Sequence, residues 1–182
     1  MHVPIVSSFS LYALGSMPSI IRIEDKIKRY EKGITSMDVE RLREFLLELP
    51  HVEETVQWGD NLVFWAGDKA IGGKMFALAN LAGTGKGVLS FHAGAERYNE
   101  LLENEGVIPA PYMARIYWVC LERWNVLPER ELRGLLERAY KLVFGKLPKR
   151  TKDVLALPAA QRRKLVAERK KLLASQRKGD TK

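Results

Sequence analysis

The stretch Lys74–Ala93, KMFALANLAGTGKGVLSFHA, decides how the middle of this chain is read. Two runs in it, KMFALANL and GVLSFHA, carry the apolar and β-branched pattern of strands, and a glycine-rich segment joins them. A lysine among glycines either cradles a phosphate or turns the chain. A phosphate-binding P-loop needs G-x-x-x-x-G-K-[ST], so that backbone amides wrap the phosphates and a hydroxyl holds magnesium. Counting back from Gly85-Lys86, the first glycine falls on Asn80, and the residue after Lys86 is Gly87. Both the anchor glycine and the metal hydroxyl are absent. The dinucleotide spacing G-x-G-x-x-G fails as well, and the segment precedes a strand instead of opening a helix. The glycines therefore read as a hairpin turn, with Lys86 at or near its tip.

Working outward, the period of two continues upstream. TVQW and NLVFWAG read as strands separated by Gly59-Asp60, a turn pair. Before them, MDVERLREFLLELP places Val39, Leu42, Phe45, Leu46 and Leu49 on one helical face. Asp38 and Glu40 lie in its first turn, where the helix dipole favours carboxylates, and Pro50 stops the run. Downstream, ERYNELLENEG reads as a short helix burying Tyr98, Leu101 and Leu102, with Gly106 as its C′ residue. VIPAPYMA carries two prolines and reads as a fixed non-helical connection, and RIYWVCLE as a further strand. PERELRGLLERAYKLVFGKLP is a longer helix striped by Leu132, Leu135, Leu136, Ala139, Val143 and Leu147. Residues 158–175 form a second, strongly basic helix with a thin seam at Ala159, Val166 and Leu173. This order predicts an α+β fold: an N-terminal helix, a mostly antiparallel sheet built from hairpins, and C-terminal helices packed on one face.

Composition bounds the function. The chain has 182 residues, 46% hydrophobic, enough for one core. No apolar run reaches the ~18 residues that span a bilayer, and the first twenty residues lack the positive region of a secretory signal. Cys120 is the one cysteine, which excludes an intramolecular disulfide and points to a reducing, cytoplasmic setting. Net charge is +8, and its placement says more than its size. Lys149–Lys182 holds 12 Lys/Arg against 3 Asp/Glu, while residues 37–148 hold 13 against 16. A basic tail on a mildly acidic body predicts a polyanionic partner. Residues 1–36 show no sustained periodicity and read as an N-terminal extension, with Met37 a candidate native start.

Nothing in the sequence argues for catalysis, a metal or a cofactor. His2, His51 and His92 are scattered, without a zinc-ligand spacing. Cys120 sits in an apolar run and reads as a buried thiol, His92 as a structural histidine, and Glu53-Glu54 as solvated.

The body from Met37 to Thr151 resembles the MmcQ/YjbR-like family of small bacterial proteins. The matching pieces, in order, are LREFLLELPHVEETVQWGD, GGKMFALA at 72–79, LSF at 89–91, VIPAPYMARIYWVCLE at 107–122 and AYKLVFGKLPKRT at 139–151. The resemblance implies a CyaY-like arrangement, helices on an antiparallel sheet whose hairpins form a double-wing DNA-binding feature. Residues 152–182 fall outside it as a basic helical tail. On these readings the expected partner is nucleic acid, double-stranded DNA bound without sequence preference, with no membrane and no small-molecule substrate. Lys69, Lys74 and Lys86 are expected on phosphates from the hairpins, and Arg115 as a further clamp beside the aromatic Trp118. Arg162, Arg163, Lys164, Arg169, Lys170 and Lys171 are expected to form an electrostatic tail. By residue type Trp58, Trp65, Trp118 and Trp124 all read as core before stacking platforms, Trp118 alone being also offered as a nucleic-acid contact. The alternative is a protein-interaction module or homodimer with no nucleic-acid partner.

Overall fold

The structure, a computed structural model, describes residues 37–82 and 87–179. Residues 1–36, the turn expected at 83–86 with Lys86, and residues 180–182 lie outside the described residues.

Helix α1 spans Val39–Leu47 and starts as its sequence directs: Asp38 accepts the Arg41 amide at 2.9 Å as N-cap. Strands β1 (Val52–Gln57), β2 (Asn61–Ala66), β3 (Lys74–Asn80) and β4 (Leu89–His92) follow as consecutive antiparallel hairpins. Helix α2 (Ala95–Leu102) leads to β5 (Val107–Pro109) and β6 (Trp118–Leu121), and β6 pairs with both β4 and β5. The six-stranded order is β1-β2-β3-β4-β6-β5. Helices α3 (Glu129–Gly145), α4 (Lys149–Leu155) and α5 (Ala159–Gly179) complete the chain. No helix among the described residues is long and apolar enough to cross a membrane.

Alternation along the strands sorts side chains onto two faces. Leu62, Phe64, Leu89, Phe91, Val119 and Leu121 point to the helix side and join the main core with Leu42, Leu46, Leu132 and Leu136. A register shift between Phe64 and Trp65 lets the consecutive Phe76 and Ala77 both face that core. The opposite, outer face carries a second cluster of Ala110, Trp118 and Cys120, with Met75, Leu78, Ile108 and Met113 packed on it. Polar links fix the helix layer. Arg43 forks onto Glu54 of β1 with its Nε 2.7 Å from Oε2, and the Tyr140 hydroxyl donates to the Pro50 carbonyl at 2.8 Å.

Three local readings are corrected. Proline does not keep Val107–Pro109 out of the sheet, because β5 is an edge strand where a missing N–H is tolerated. The run at 115–122 becomes a strand only from Trp118, since Ala114–Ile116 closes a 3₁₀ turn and Tyr117 takes a left-handed φ of 60°. Gly106 has the left-handed φ expected of it, but the helix before it is already capped at Glu103.

The folded body also extends past Thr151. Thr151 and Leu155 of α4 are buried, and both pack on the β2–β3 connection, Gly67–Gly73. The Thr151 hydroxyl donates to the Ile71 carbonyl at 2.8 Å. Gly72 there has a φ of 93°, and a Cβ on it would stand 2.9 Å from Thr151 Oγ1. The boundary after Thr151 that the resemblance implied thus falls inside a packed helix.

Candidate functional site

Register divides the sheet into two ends. At one end lie the β1–β2 and β3–β4 connections, locked together where the Leu81 amide donates to the Asp60 carbonyl at 2.7 Å. At the other lie the β2–β3 connection, the start of β3 and the start of β6. Lys69 lies in the β2–β3 connection, Lys74 opens β3, and Arg115 precedes β6. All three therefore belong to the end opposite the β3–β4 connection that contains Lys86. Lys74 and Arg115 are exposed, without an ion pair among the described residues. Lys69 is engaged: its Nζ stands 5.2 Å from the centroid of the Trp65 ring and 3.4 Å from Gln57 Oε1.

Helix α5 is held at the same end. Arg162, Val166, Lys170 and Leu173 share one face by their spacing of four, four and three. Arg162 donates to the carbonyls of Leu155 and Leu157 at 3.1 and 3.3 Å, satisfying groups that the end of α4 leaves open. Lys170 Nζ pairs with Asp68 Oδ2 at 2.5 Å. Asp68 is buried, and its other oxygen accepts the Ala70 amide at 2.7 Å as N-cap of the 3₁₀ turn Lys69–Ile71. Beyond Lys170, Leu173 and Ala174 face Thr55 and Trp65 across a groove of about 260 Å³. Arg163, Lys164, Arg169 and Lys171 remain exposed with no acidic partner among the described residues. Of the six tail cations, two are structural and four are exposed, with Arg163 at the edge of the groove between α5 and the body. The tail is a docked helix, not a loose tether.

Trp118 departs from its expected role. Only 3% exposed, it lies under Ala110 and Met113 and stacks on His92 with centroids 6.2 Å apart. As the first residue of β6 it points to the outer sheet face, so its ring is a packing surface and not a stacking platform. Burial pushes the His92 imidazole below its ordinary value, against the opposing hydrogen bond to the Tyr117 carbonyl. The Cys120 thiol is raised by burial too.

A different pair of aromatics is presented outward. Trp58 is 66% exposed at the β1–β2 turn, and Tyr112 is fully exposed after β5. Both have left-handed backbones, φ 50° and 63°, a conformation that costs a non-glycine residue about 1–3 kcal/mol. They rim a cleft of about 530 Å³ on the outer face. Reading all four tryptophans as a class concealed Trp58. The signal was its place directly before Gly59-Asp60, where a strand side chain leaves the sheet.

This layout defines a small α+β protein with helices on one face of a hairpin-built antiparallel sheet and a basic helix docked at one sheet end. The YjbR family model matches residues 47–142, more than half of the chain, and the chain belongs to the YjbR family. It is similar to a solved Deinococcus radiodurans protein, DR2400, which carries a domain of the family model DUF419. The two are 29% identical with a TM-score of 0.58, over 68% of this chain and 91% of that one. None of the curated proteins matches it.

Proposed function

We propose that this protein is a cytoplasmic, non-enzymatic binder of double-stranded DNA that grips phosphates without reading sequence. The contacts are Arg163, Lys164, Arg169 and Lys171 on α5, with Lys74 and Arg115 at the same end of the sheet. The observation that carries the reading is the anchoring of α5. The Lys170–Asp68 pair and the Arg162 bonds fix the helix on the body while four exposed cations have no ion pair among the described residues, Lys164 and Lys171 lying opposite the docked face. A fixed row of cations releases condensed counterions from a duplex without first losing the entropy of a loose tail. The body between residues 37 and 148 is net negative, so affinity depends on this one end. The β2–β3 hairpin is the wing that this reading uses.

The test is fluorescence anisotropy with a random duplex over a salt series. The full chain is compared with Lys164→Glu/Lys171→Glu and with Lys74→Glu. Each lost phosphate contact lowers the slope of log affinity against log salt by about 0.9. The double variant is therefore expected to flatten it by about 2, and Lys74→Glu by about 1. Binding indifferent to salt would overturn the reading and favour a protein partner.

A further inference from the structure

The cleft rimmed by Trp58 and Tyr112 uses none of the cations assigned to phosphate. We propose that it binds an uncharged, planar heteroaromatic ring of nucleobase size. Its volume of about 530 Å³ falls within the roughly 300–1,000 Å³ of small-molecule sites. In a chain that is 29% charged, not one Lys, Arg, His, Asp or Glu among the described residues lines it. An ionic ligand would lose its hydration there and meet no counter-charge among the described residues.

The lining also indicates shape and polarity. Met75, Leu78 and Met113 present flat apolar and thioether surface, which favours aromatic rings. Trp58 and Tyr112 offer ring faces or edges at the mouth, where stacking tolerates any heterocycle. The Asn61 Nδ2 donates to the Trp58 carbonyl at 3.0 Å, which fixes the turn and leaves the Asn61 carbonyl oxygen for a ligand. Ser90 also lies on the cleft wall, its hydroxyl hydrogen-bonded to the Cys120 thiol. A purely aliphatic guest would leave the Asn61 oxygen unmatched, whereas the edge of a heterocycle can donate to it.

The cleft's position rules against an added peptide strand. It lies over β3, β4 and β6, interior strands whose backbone groups are paired on both sides. The ring has two possible sources, a free nucleoside or an unpaired base of a nucleic acid.

The test uses 2-aminopurine riboside and a single-stranded oligonucleotide carrying one 2-aminopurine, each titrated with the full chain and followed by anisotropy. Trp58→Ala and Tyr112→Ala change exposed side chains, and circular dichroism checks their folding. Each is expected to weaken binding about tenfold or more, the scale of one lost base–aromatic stack. The α5 variant Lys164→Glu/Lys171→Glu is expected to leave riboside binding unchanged, so failure of the phosphate reading does not touch this one. Riboside binding that depends on the rim identifies a free ring as ligand. Rim-dependent binding of the oligonucleotide alone identifies a base in a strand. Both support the cleft. Absence of rim-dependent binding for both probes overturns it.

Discussion

Lys170 Nζ lies 2.5 Å from Asp68 Oδ2, so the most basic helix of the chain is fastened to a buried carboxylate on the β2–β3 connection. The two partners do unequal work. Asp68 also caps the 3₁₀ turn through the Ala70 amide, while the Lys170 head is mostly in solvent. Asp68→Ala is expected to cost about 1–3 kcal/mol, from the lost cap and charge-assisted bond together. Lys170→Met keeps the cap but leaves the buried carboxylate without its counter-charge, and should cost about 1–2 kcal/mol. Urea unfolding measures both. Hydrogen exchange along α5 should speed up in each variant, with β2 and β3 amides affected only in the first.

Thr151 and Gly72 form a second coupled pair. Gly72→Ala forces a side chain into a left-handed φ and against Thr151 Oγ1, at an expected cost of about 1–3 kcal/mol. Thr151→Val strands the buried Ile71 carbonyl, for about 1–3 kcal/mol. In the Thr151→Ala background the Gly72→Ala clash is relieved. The double-mutant cycle should therefore show coupling of about 0.5 kcal/mol or more, and strict additivity would refute the contact.

Truncation tests where the body ends. A chain stopped at Pro148 loses both Thr151 and the buried Leu155, whereas one stopped at Leu157 keeps them. The shorter chain is expected to be less stable by about 3 kcal/mol or more, read from the urea midpoint. Equal midpoints would place α4 outside the folded unit.

Stability should fall toward acid. Burial lowers the pKa of His92, and burial followed by the neighbouring Arg162 charge lowers that of His51. The unfolded chain then binds protons that the folded one refuses, so stability rises with pH through that interval. The contribution is complete above the ordinary histidine value near 6.5 and is lost as pH falls through the lowered folded values. Melting temperatures between pH 7.5 and 5 should drop for the native chain, and less steeply for His92→Phe.

Much of the fold was legible because it rests on local rules. The periods of two and 3.6, Gly59-Asp60, Asp38 and Pro50 each act within a few residues, and the elements they predict are present. The ordered motifs led to the family that the YjbR model also identifies. What escaped depended on distant partners. Val107–Pro109 becomes a strand only because β6 lies beside it, and α4 belongs to the body only because the β2–β3 connection needs Thr151 above it. The candidate surfaces were less legible still. Lys69, Lys74 and Lys86 look alike in sequence, and only strand register sends the first two to one end of the sheet and the third connection to the other. Trp118 is core, as its residue type predicted, and loses only its offered nucleic-acid contact, while Trp58 meets solvent because its place on the strand, not its type, decides exposure.

The strand order has a kinetic consequence. β1 through β4 pair with their immediate neighbours in the chain, so their hairpins close across short loops and can zip quickly. β6 must instead return past α2 and insert between β4 and β5. The search for that slot is the longer-range pairing step, and the refolding rate is expected to follow it. Truncating Val119, which pairs with Phe91 across the slot, should slow refolding, whereas loosening α5 should only hasten unfolding.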